Sequence, residues 1–351
     1  MKKFCLYLVS MYLMYACNTP SQDVEKDHWI ASGQMPCVAK DSLSNIHLVF
    51  GNGDSILYIN STDKGNSFSA PTLVALLPGF VSSHMRGAQI AATKSGILII
   101  AVNEAGDILS FFKNGNGPWI NGQKLNDRDT IAKEGFISLS ADGDKVFAVW
   151  LDLRNNLKNN IYGAGSADGG KSWSSNKMIY TSPDSSVCEC CKPSVLAKNN
   201  HVYVMFRNWL QGNRDLYLAT SSDNGNKFDT AQKLGKGNWK IDGCPMDGGA
   251  LTIDDNDVIQ TVWRRENKIY NASPGSVEKE IGAGKGCTIE TVNGSNVYAW
   301  SDNGNVVFAD AEGHKRSVGK GSLPILKRLD SEIVLCVYEN DKEIHTKLIA
   351  L

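Results

Sequence analysis

Seven short apolar segments recur along the chain, each flanked by polar and turn-forming residues. They cover residues 46–50, 97–102, 145–150, 202–206, 258–263, 296–300 and 332–338. Short apolar segments bounded by turns are typical of buried β-strands. Because these segments return at intervals of about 50 residues, a period found in propellers, the pattern predicts an all-β chain built from repeated units.

One turn motif follows three of these units. It has the form Ser-x-Asp-x-Gly-x-x-Trp or Phe and covers residues 61–68, 166–173 and 221–228. In such a turn the aspartate accepts hydrogen bonds from backbone amides, and the glycine takes a positive φ. We therefore predict that Asp63, Asp168 and Asp223 have a structural role, and that each aromatic residue packs inward between neighbouring sheets.

The three motifs resemble the Asp-box, or bacterial neuraminidase repeat, of the sialidase superfamily across essentially the whole mature chain. Residues 150–154, 187–191, 205–208 and 244–249 also look like a branch of bacterial proteins commonly labelled exo-α-sialidase. This resemblance implies a β-propeller of the sialidase type. Each of the seven apolar segments is taken as the middle strand of one blade, the strand that follows the inner strand. They therefore predict seven blades, and the six blades of the sialidase fold are the alternative. Closure would then need an N-terminal strand near Trp29 that completes the last blade.

Arginines concentrate at one predicted end of the propeller, which we call the mouth. In a four-stranded blade, the connections from the second to the third strand and from the outer strand to the next blade open there. The Asp-boxes lie at the opposite end. Seven of the nine arginines fall in or beside the mouth connections: Arg86, Arg128, Arg154, Arg207, Arg214, Arg264 and Arg265. Since arginine grips carboxylates and phosphates with two parallel hydrogen bonds, this pattern predicts a site for an anionic ligand.

Carboxylates occupy the same connections, and two interpretations of them stay open. They are Asp127, Asp129, Glu134, Asp152, Asp215 and Asp247. In the first interpretation they pair with the arginines and brace long loops. In the second, one of them supplies an acid beside an anionic ligand.

The resemblance to sialidases implies roles for particular residues. Sialidases use three arginines on the substrate carboxylate, a carboxylic acid as acid/base, and a tyrosine nucleophile backed by a glutamate. The chain departs from this pattern because it has no Arg-Ile-Pro motif and no tyrosine clearly placed as a nucleophile. The candidates are Arg86, Arg207 and Arg264, with Arg154 as a further substrate-binding arginine, Asp152 or Asp247 as the acid, and Tyr338 with Glu339.

Six cysteines lie just before predicted inner strands, on the mouth side: Cys37, Cys188, Cys190, Cys191, Cys244 and Cys287. In an oxidising compartment these residues are expected to form disulfides. We predict disulfides among Cys188, Cys190, Cys191 and Cys244, with a bridge between the adjacent Cys190 and Cys191 as one arrangement. Thiolate coordination of zinc or copper(I) and a nucleophilic thiol are the alternatives, although no histidine neighbours the cluster.

The N-terminal sequence is typical of an export signal. Lys2 and Lys3 precede an apolar run over residues 4–16, which is too short to span a bilayer but has the length of a signal-peptide core. The run ends at Ala16-Cys17, which resembles the lipobox of bacterial lipoproteins. We expect a lipoprotein signal over residues 1–17 with Cys17 acylated, a tether over 18–28, and one propeller domain over 29–351. An ordinary signal peptide with an incidental cysteine is the alternative.

Two functions are compatible with these features. The first is an exo-α-sialidase-like glycoside hydrolase that acts at the mouth on an acidic, carboxylate-bearing sugar. The second is a non-catalytic or thiol- or metal-dependent surface binding protein that uses the same mouth. The net charge of −1 gives no indication of nucleic-acid binding. We predict an acidic glycan or other anionic small ligand, no cofactor, no bound metal, and contact with the cell-envelope membrane only through the lipid anchor.

Overall fold

The computed structural model describes residues 26–254 and 256–351. Within these ranges, 28 strands form seven four-stranded antiparallel sheets and no helix is present. Consequently, no described helix is long and apolar enough to cross a membrane. The predicted signal over residues 1–17, its acylated Cys17 and most of the tether over 18–28 lie outside the described residues.

The strands follow one another in a regular order, with each blade running from an inner strand to an outer strand. Blade one contains β2 (Gln34–Lys40), β3 (Ile46–Asn52), β4 (Ser55–Ser61) and β5 (Thr72–Leu76). Blade two contains β6 (Gln89–Ala92), β7 (Ile97–Val102), β8 (Ile108–Lys113) and β9 (Ile120–Asn121). Blade three contains β10 (Ile137–Asp142), β11 (Lys145–Asn155), β12 (Lys158–Ser166) and β13 (Lys177–Tyr180). Blade four contains β14 (Ser194–Lys198), β15 (His201–Arg207), β16 (Leu216–Ser221) and β17 (Gln232–Lys233).

Blade five contains β18 (Gly249–Ile253), β19 (Ile259–Arg265), β20 (Lys268–Ala272) and β21 (Lys279–Ala283). Blade six contains β22 (Lys285–Val292), β23 (Ser295–Asp302), β24 (Asn305–Ala309) and β25 (Lys315–Lys320). Blade seven contains β26 (Ser322–Arg328), β27 (Ile333–Asn340) and β28 (Glu343–Ala350), and its fourth strand is the first strand of the chain, β1 (His28–Ser32).

The N-terminal strand closes the ring. Strand β1 is the outer strand of blade seven and pairs antiparallel with β28, with His28 opposite Thr346 and Trp29 opposite His345. Closure removes the free edges that an open array of sheets would leave. The predictions of seven blades and of closure near Trp29 are therefore confirmed, and the six-bladed alternative is wrong.

The sequence of each middle strand, the second strand of its blade, is a continuous apolar run because each face of the strand packs on a different neighbouring blade. In β7, Ile99 and Ala101 pack with blade one, in a cluster that includes Val49 and Ile56. The intervening residues of β7 pack with blade three, in a cluster that includes Trp150. Since side chains alternate across a strand, both sets have to be apolar, and the sequence pattern follows directly.

Each Asp-box joins the third strand of its blade to the outer strand. In the second box, Ser172 donates to Asp168 through its backbone N at 2.9 Å and through its hydroxyl at 2.5 Å. Ser166 Oγ in turn accepts the amide of Gly170 at 2.8 Å. Gly170 has a φ of +90°, and an added Cβ would lie 2.4 Å from the Leu98 side chain. This turn therefore requires glycine both for its backbone conformation and for its close approach to blade two.

Replacement of Asp168 by alanine is expected to lower the free energy of unfolding by about 1–3 kcal/mol, because turn amides lose their acceptor. Burial would raise the pKa of Asp168, but hydrogen bonds from Ser172 and Ser166 outweigh it and hold the pKa at about 2. Since the folded-state pKa lies below the unfolded value of 3.8, the contribution of Asp168 is present above that value and is lost as the pH falls through it towards 2.

Thermal and urea denaturation at a series of pH values would measure this difference. Asp229→Ala is the matched control, because Asp229 is exposed and its carboxylate has no hydrogen-bond partner among the described residues. A difference between Asp168→Ala and the parent that stays constant down to pH 2 would contradict the assigned hydrogen bonds.

Candidate functional site

The described inner strands surround a cavity at the mouth end of the central channel. Its volume is about 180 Å³, and six of the seven blades contribute to its wall. The wall is formed at the beginning of each inner strand or in the connection before it. The polar and sulfur-bearing side chains around it include Met35, Cys37, Gln89, Lys192, Asp247 and Cys287.

Lys192 supplies a positive charge to this cavity. Its Nζ donates to Gln89 Oε1 at 2.9 Å. Gln89 is itself oriented by donation from its Nε2 to the carbonyl oxygens of Gly87 and Ala88. Burial lowers the pKa of Lys192, while the neighbouring Cys37 opposes that shift. In the described part of the chain, the ammonium thus faces a neutral amide oxygen rather than a carboxylate.

Asp247 is the carboxylate that borders the same cavity. The residue is nearly inaccessible, at 1% exposure. Burial raises its pKa, although the charges of Arg207 and Arg264 and the amide of Gly286 favour ionisation. Its Oδ2 accepts from Gly286 N at 3.2 Å and lies 3.7 Å from the guanidinium of Arg264. A buried carboxyl group with a raised pKa can serve as an acid, which is one of the roles predicted from the sequence for Asp152 or Asp247.

Arg207 braces the connections around the cavity instead of facing it. Its residue is 2% exposed, and its guanidinium makes three hydrogen bonds to backbone carbonyl oxygens. Nε donates to Asp247 at 3.2 Å, and the two terminal nitrogens donate to Arg214 at 2.7 Å and Arg264 at 3.0 Å. These three carbonyls belong to different parts of blades four and five, which Arg207 therefore holds together.

The other arginines assigned to a substrate carboxylate are engaged in a similar way. Arg86 Nε donates to the Glu134 carbonyl at 2.6 Å, and its guanidinium lies 4.1 Å from the centre of the Phe136 ring. Arg264 donates to the carbonyls of Glu266 at 2.5 Å and Pro245 at 3.3 Å. Neither residue borders the cavity. The structure therefore does not bring Arg86, Arg207 and Arg264 to one ligand position.

Asp152 and Arg154 pair with each other. Arg154 donates to both carboxylate oxygens of Asp152 at 2.9 Å and also to Asp127 at 2.8 Å. The second oxygen of Asp152 accepts Trp150 Nε1 at 2.8 Å, and the residue is fully buried. This geometry corresponds to the bracing interpretation for Asp152, which leaves Asp247 as the better placed of the two candidate acids.

Tyr338 lies away from the cavity. It is fully buried, and it packs against Gly319, between blades six and seven. Its hydroxyl donates to Asp27 Oδ1 at 2.7 Å, and burial raises its pKa. Glu339 accepts the backbone amide of Met35 at 2.8 Å. The structure therefore does not place the Tyr338 hydroxyl beside Asp247 or the arginines, as a nucleophile would require.

In the described part of the chain, four cysteines of the mouth connections form one disulfide and one close pair of thiols. Cys190 is bonded to Cys244, and the Sγ atoms of the free cysteines Cys188 and Cys191 are 3.4 Å apart. The predicted disulfide chemistry is thus confirmed for Cys190 and Cys244, which bond to each other, whereas Cys188 and Cys191 are free thiols and the bridge between the adjacent Cys190 and Cys191 is not formed. Because disulfide sulfurs are not thiolates, this bond withdraws Cys190 and Cys244 from thiolate metal binding.

A larger cavity, of about 500 Å³, lies at the Asp-box end between blades three and four. Its lysines are already engaged: Lys145 with Asn200, Lys177 with Asn226 at 2.6 Å, and Lys198 with Asp257. We favour the smaller mouth cavity as the functional site because groups from six blades converge there around the positive charge of Lys192.

Sequence reasoning missed Lys192 and Gln89, which are 103 positions apart. The lysines are scattered over the whole chain, so none stood out by composition. One signal was available. Lys192 directly follows the cysteine cluster and precedes an inner strand, a place where side chains reach the channel.

The fold defines the class of this chain as a seven-bladed β-propeller. No family model and no curated protein matches the chain. Among solved structures, an inactive variant of virginiamycin B lyase from Staphylococcus aureus, in complex with quinupristin, aligns with a TM-score of 0.56 and 11% identity over 93% of this chain and 99% of that one. The SapL1 lectin in complex with α-methyl fucoside gives a TM-score of 0.54 and 11% identity over 83% and 97%.

A sialidase is also among the similar structures. NanB from Streptococcus pneumoniae has a TM-score of 0.47 and 13% identity, over 94% of this chain and 70% of that one. The alignments with the lyase and the lectin, both at 11% identity, support a shared fold and do not transfer a ligand or an activity. Because those two proteins differ in function, the comparisons support the fold without selecting a function.

Proposed function

We propose that this protein is an exported, lipid-anchored binding propeller whose mouth cavity takes the acidic end group of a glycan, with Lys192 as the anchoring cation. The observation that carries the proposal is the partly buried ammonium of Lys192, whose hydrogen-bond partner among the described residues is the neutral Gln89 oxygen. A charge that is partly withdrawn from water without a counter-ion is unfavourable. A ligand carboxylate would offset this cost.

The size of the cavity limits the ligand. Typical small-molecule pockets have volumes of about 300–1,000 Å³, whereas this cavity has about 180 Å³. It suits a terminal acidic group rather than a whole oligosaccharide. The thioether of Met35 and the ring of Pro36 are among the apolar groups that would contact the ligand's carbon skeleton.

A second candidate is the sialidase-like glycoside hydrolase. The observation in its favour is Asp247, a buried carboxyl group with a raised pKa at the cavity wall. Glycosidases generally need a second carboxylate, or in sialidases a tyrosine, as nucleophile or base. Among the described residues that line the cavity, Asp247 is the sole carboxylate and there is no tyrosine. Binding without hydrolysis therefore accounts better for this set of residues.

We expect Lys192→Met to weaken binding of a sialic or uronic acid by about 10- to 100-fold, since a hydrogen bond to a charged group contributes about 1.5–3 kcal/mol. Calorimetric titration with the free acids and with a neutral hexose would measure this change. Lys133→Met is the matched control, because Lys133 is an exposed lysine of a mouth connection. Equal affinity of Lys192→Met and parent for the acids would refute the assigned anchor.

A turnover assay separates the two candidate functions. The parent, incubated with a panel of acidic glycosides with and without reductant and chelator, is expected to release no free acid while binding it. Release that disappears in Asp247→Asn but persists in Asp242→Asn, a change at an exposed aspartate of the same connection, would establish the hydrolase instead.

A further inference from the structure

Four cysteines lie together beneath two mouth connections. Cys188, Cys190 and Cys191 belong to the connection over residues 181–193, which leads into blade four. Cys244 belongs to the connection over residues 234–248, which leads into blade five. The disulfide between Cys190 and Cys244 therefore clamps the two connections to each other.

Cys188 occupies the centre of this group. Its Sγ lies 3.6 Å from Cys190 Sγ and 3.4 Å from Cys191 Sγ. One thiol is thus in van der Waals contact with a disulfide sulfur on one side and with a second thiol on the other. Cys188 and Cys191 are buried, whereas Cys244 is exposed. The four sulfurs therefore connect a buried pair to the protein surface.

The surroundings of Cys188 favour its thiolate. A terminal nitrogen of Arg214 donates to Cys188 Sγ at 3.1 Å. The contact with Cys191 and the charges of Arg214 and Arg207 lower the pKa of Cys188 to about 6, although burial opposes this shift. Burial and the neighbouring Cys188 raise the pKa of Cys191. Cys188 is consequently the more readily ionised of the two thiols, and the thiolate is the form that attacks disulfides.

We propose that these four cysteines form an internal thiol–disulfide exchange relay that moves one disulfide between Cys190 and Cys244, of which Cys244 is exposed, and the fully buried pair, Cys188 and Cys191. The Cys188 thiolate attacks Cys190 Sγ, and the bond between Cys190 and Cys244 breaks. The electron pair leaves on Cys244, which takes a proton from solvent. Cys191 then attacks Cys188, and Cys190 leaves with the electron pair and takes the proton of Cys191.

The exchange balances without an external oxidant or reductant, because one disulfide and two thiol groups are present before and after it. The state after the exchange differs from the starting state in two respects. The clamp between the two mouth connections is open, and a thiol stands at the surface at Cys244. That thiol would be available to a disulfide of another exported protein, which is the class of partner that the chemistry implies.

Trapping with N-ethylmaleimide tests the relay on the folded exported protein, purified without reductant. Acid quenching followed by denaturation and peptide mapping first establishes the starting state, for which we expect the Cys190–Cys244 disulfide as the main form. N-ethylmaleimide is then added to the native protein near neutral pH. We expect Cys244 to become alkylated while a Cys188–Cys191 disulfide accumulates. The rate should become independent of reagent concentration, because exchange and not alkylation limits it.

Two variants and one control locate the path. Cys188→Ser should lower the rate of Cys244 alkylation by at least about tenfold, since it removes the attacking thiolate. Cys191→Ser should still allow alkylation of Cys244 but trap a Cys188–Cys190 disulfide, a result that stands even if Cys188→Ser fails to fold. Cys336→Ser is the control, because Cys336 lies in the core between blades six and seven and its replacement should leave the rate unchanged.

Three results would overturn the relay. One is native protein in which Cys244 stays unlabelled while Cys188 and Cys191 react only after unfolding. Another is purified protein that already contains both disulfides and no thiol among the four cysteines. The third is four free thiols with a stoichiometric bound metal, which would establish coordination in place of exchange.

Discussion

Replacement of Arg207 by methionine is expected to lower the free energy of unfolding by about 3–5 kcal/mol, because three carbonyl oxygens, two of them in buried hydrogen bonds, lose their donor at once. These carbonyls belong to Asp247, Arg214 and Arg264. Because methionine retains much of the volume of the arginine side chain, the decrease in the free energy of unfolding would reflect lost hydrogen bonds more than lost packing. Arg207→Lys should recover only part of the stability, since an ammonium lacks the planar fork that reaches three acceptors.

Urea denaturation monitored by tryptophan fluorescence would measure this loss, with Arg128→Met as the control at an exposed mouth arginine. The sialidase-like assignment makes the opposite forecast. In that case Arg207→Met and Arg207→Lys would keep the parental midpoint and lose affinity for an acidic sugar. The two measurements therefore decide between a brace and a ligand-binding arginine.

Removal of the closing strand should abolish cooperative folding. We expect a chain that starts at residue 34 to aggregate or to unfold without a sharp transition, whereas a chain that starts at residue 26 behaves as the intact propeller. Without β1, the edge of β28 is unpaired, and Ala31 and Ile30 no longer cover the core between blades one and seven. The hydrogen bond from Tyr338 to Asp27 is also lost.

The loss should be comparable to the total stability of a typical domain, about 5–15 kcal/mol. Differential scanning calorimetry and size-exclusion chromatography on the two chains would test this expectation. A synthetic peptide of residues 26–33, added in trans, should restore part of the transition, because exposed strand edges accept extended peptides. A truncated monomer that melts at the parental temperature would show that closure contributes little.

The sequence placed the arginines in the mouth connections but did not show what they contact. The arginines of the mouth do lie in the connections where the pattern placed them, yet Arg86, Arg207 and Arg264 bind backbone carbonyls. A guanidinium binds a ligand carboxylate and a loop carbonyl with the same donors. Residue type and spacing alone therefore could not distinguish a binding arginine from a bracing one.

The sequence by itself determined the architecture of this protein, because the relevant interactions are local or repeated. A middle strand packed on two blades has to be apolar on both faces, and an Asp-box forms its hydrogen bonds within a few residues of its aspartate, as Asp168 does with Ser172. Both signals are visible in short windows, and their repetition gave the number of blades.

Only the tertiary structure decided which polar groups meet at the mouth. The hydrogen-bond partners of Lys192 and Asp247 lie 103 and 39 positions away in other blades, and Cys190 bonds to Cys244 across 54 positions. A turn specifies where a chain leaves its sheet but not which loop it then contacts. The closing of the ring determines those contacts, because it brings the ends of seven separate inner strands around one channel.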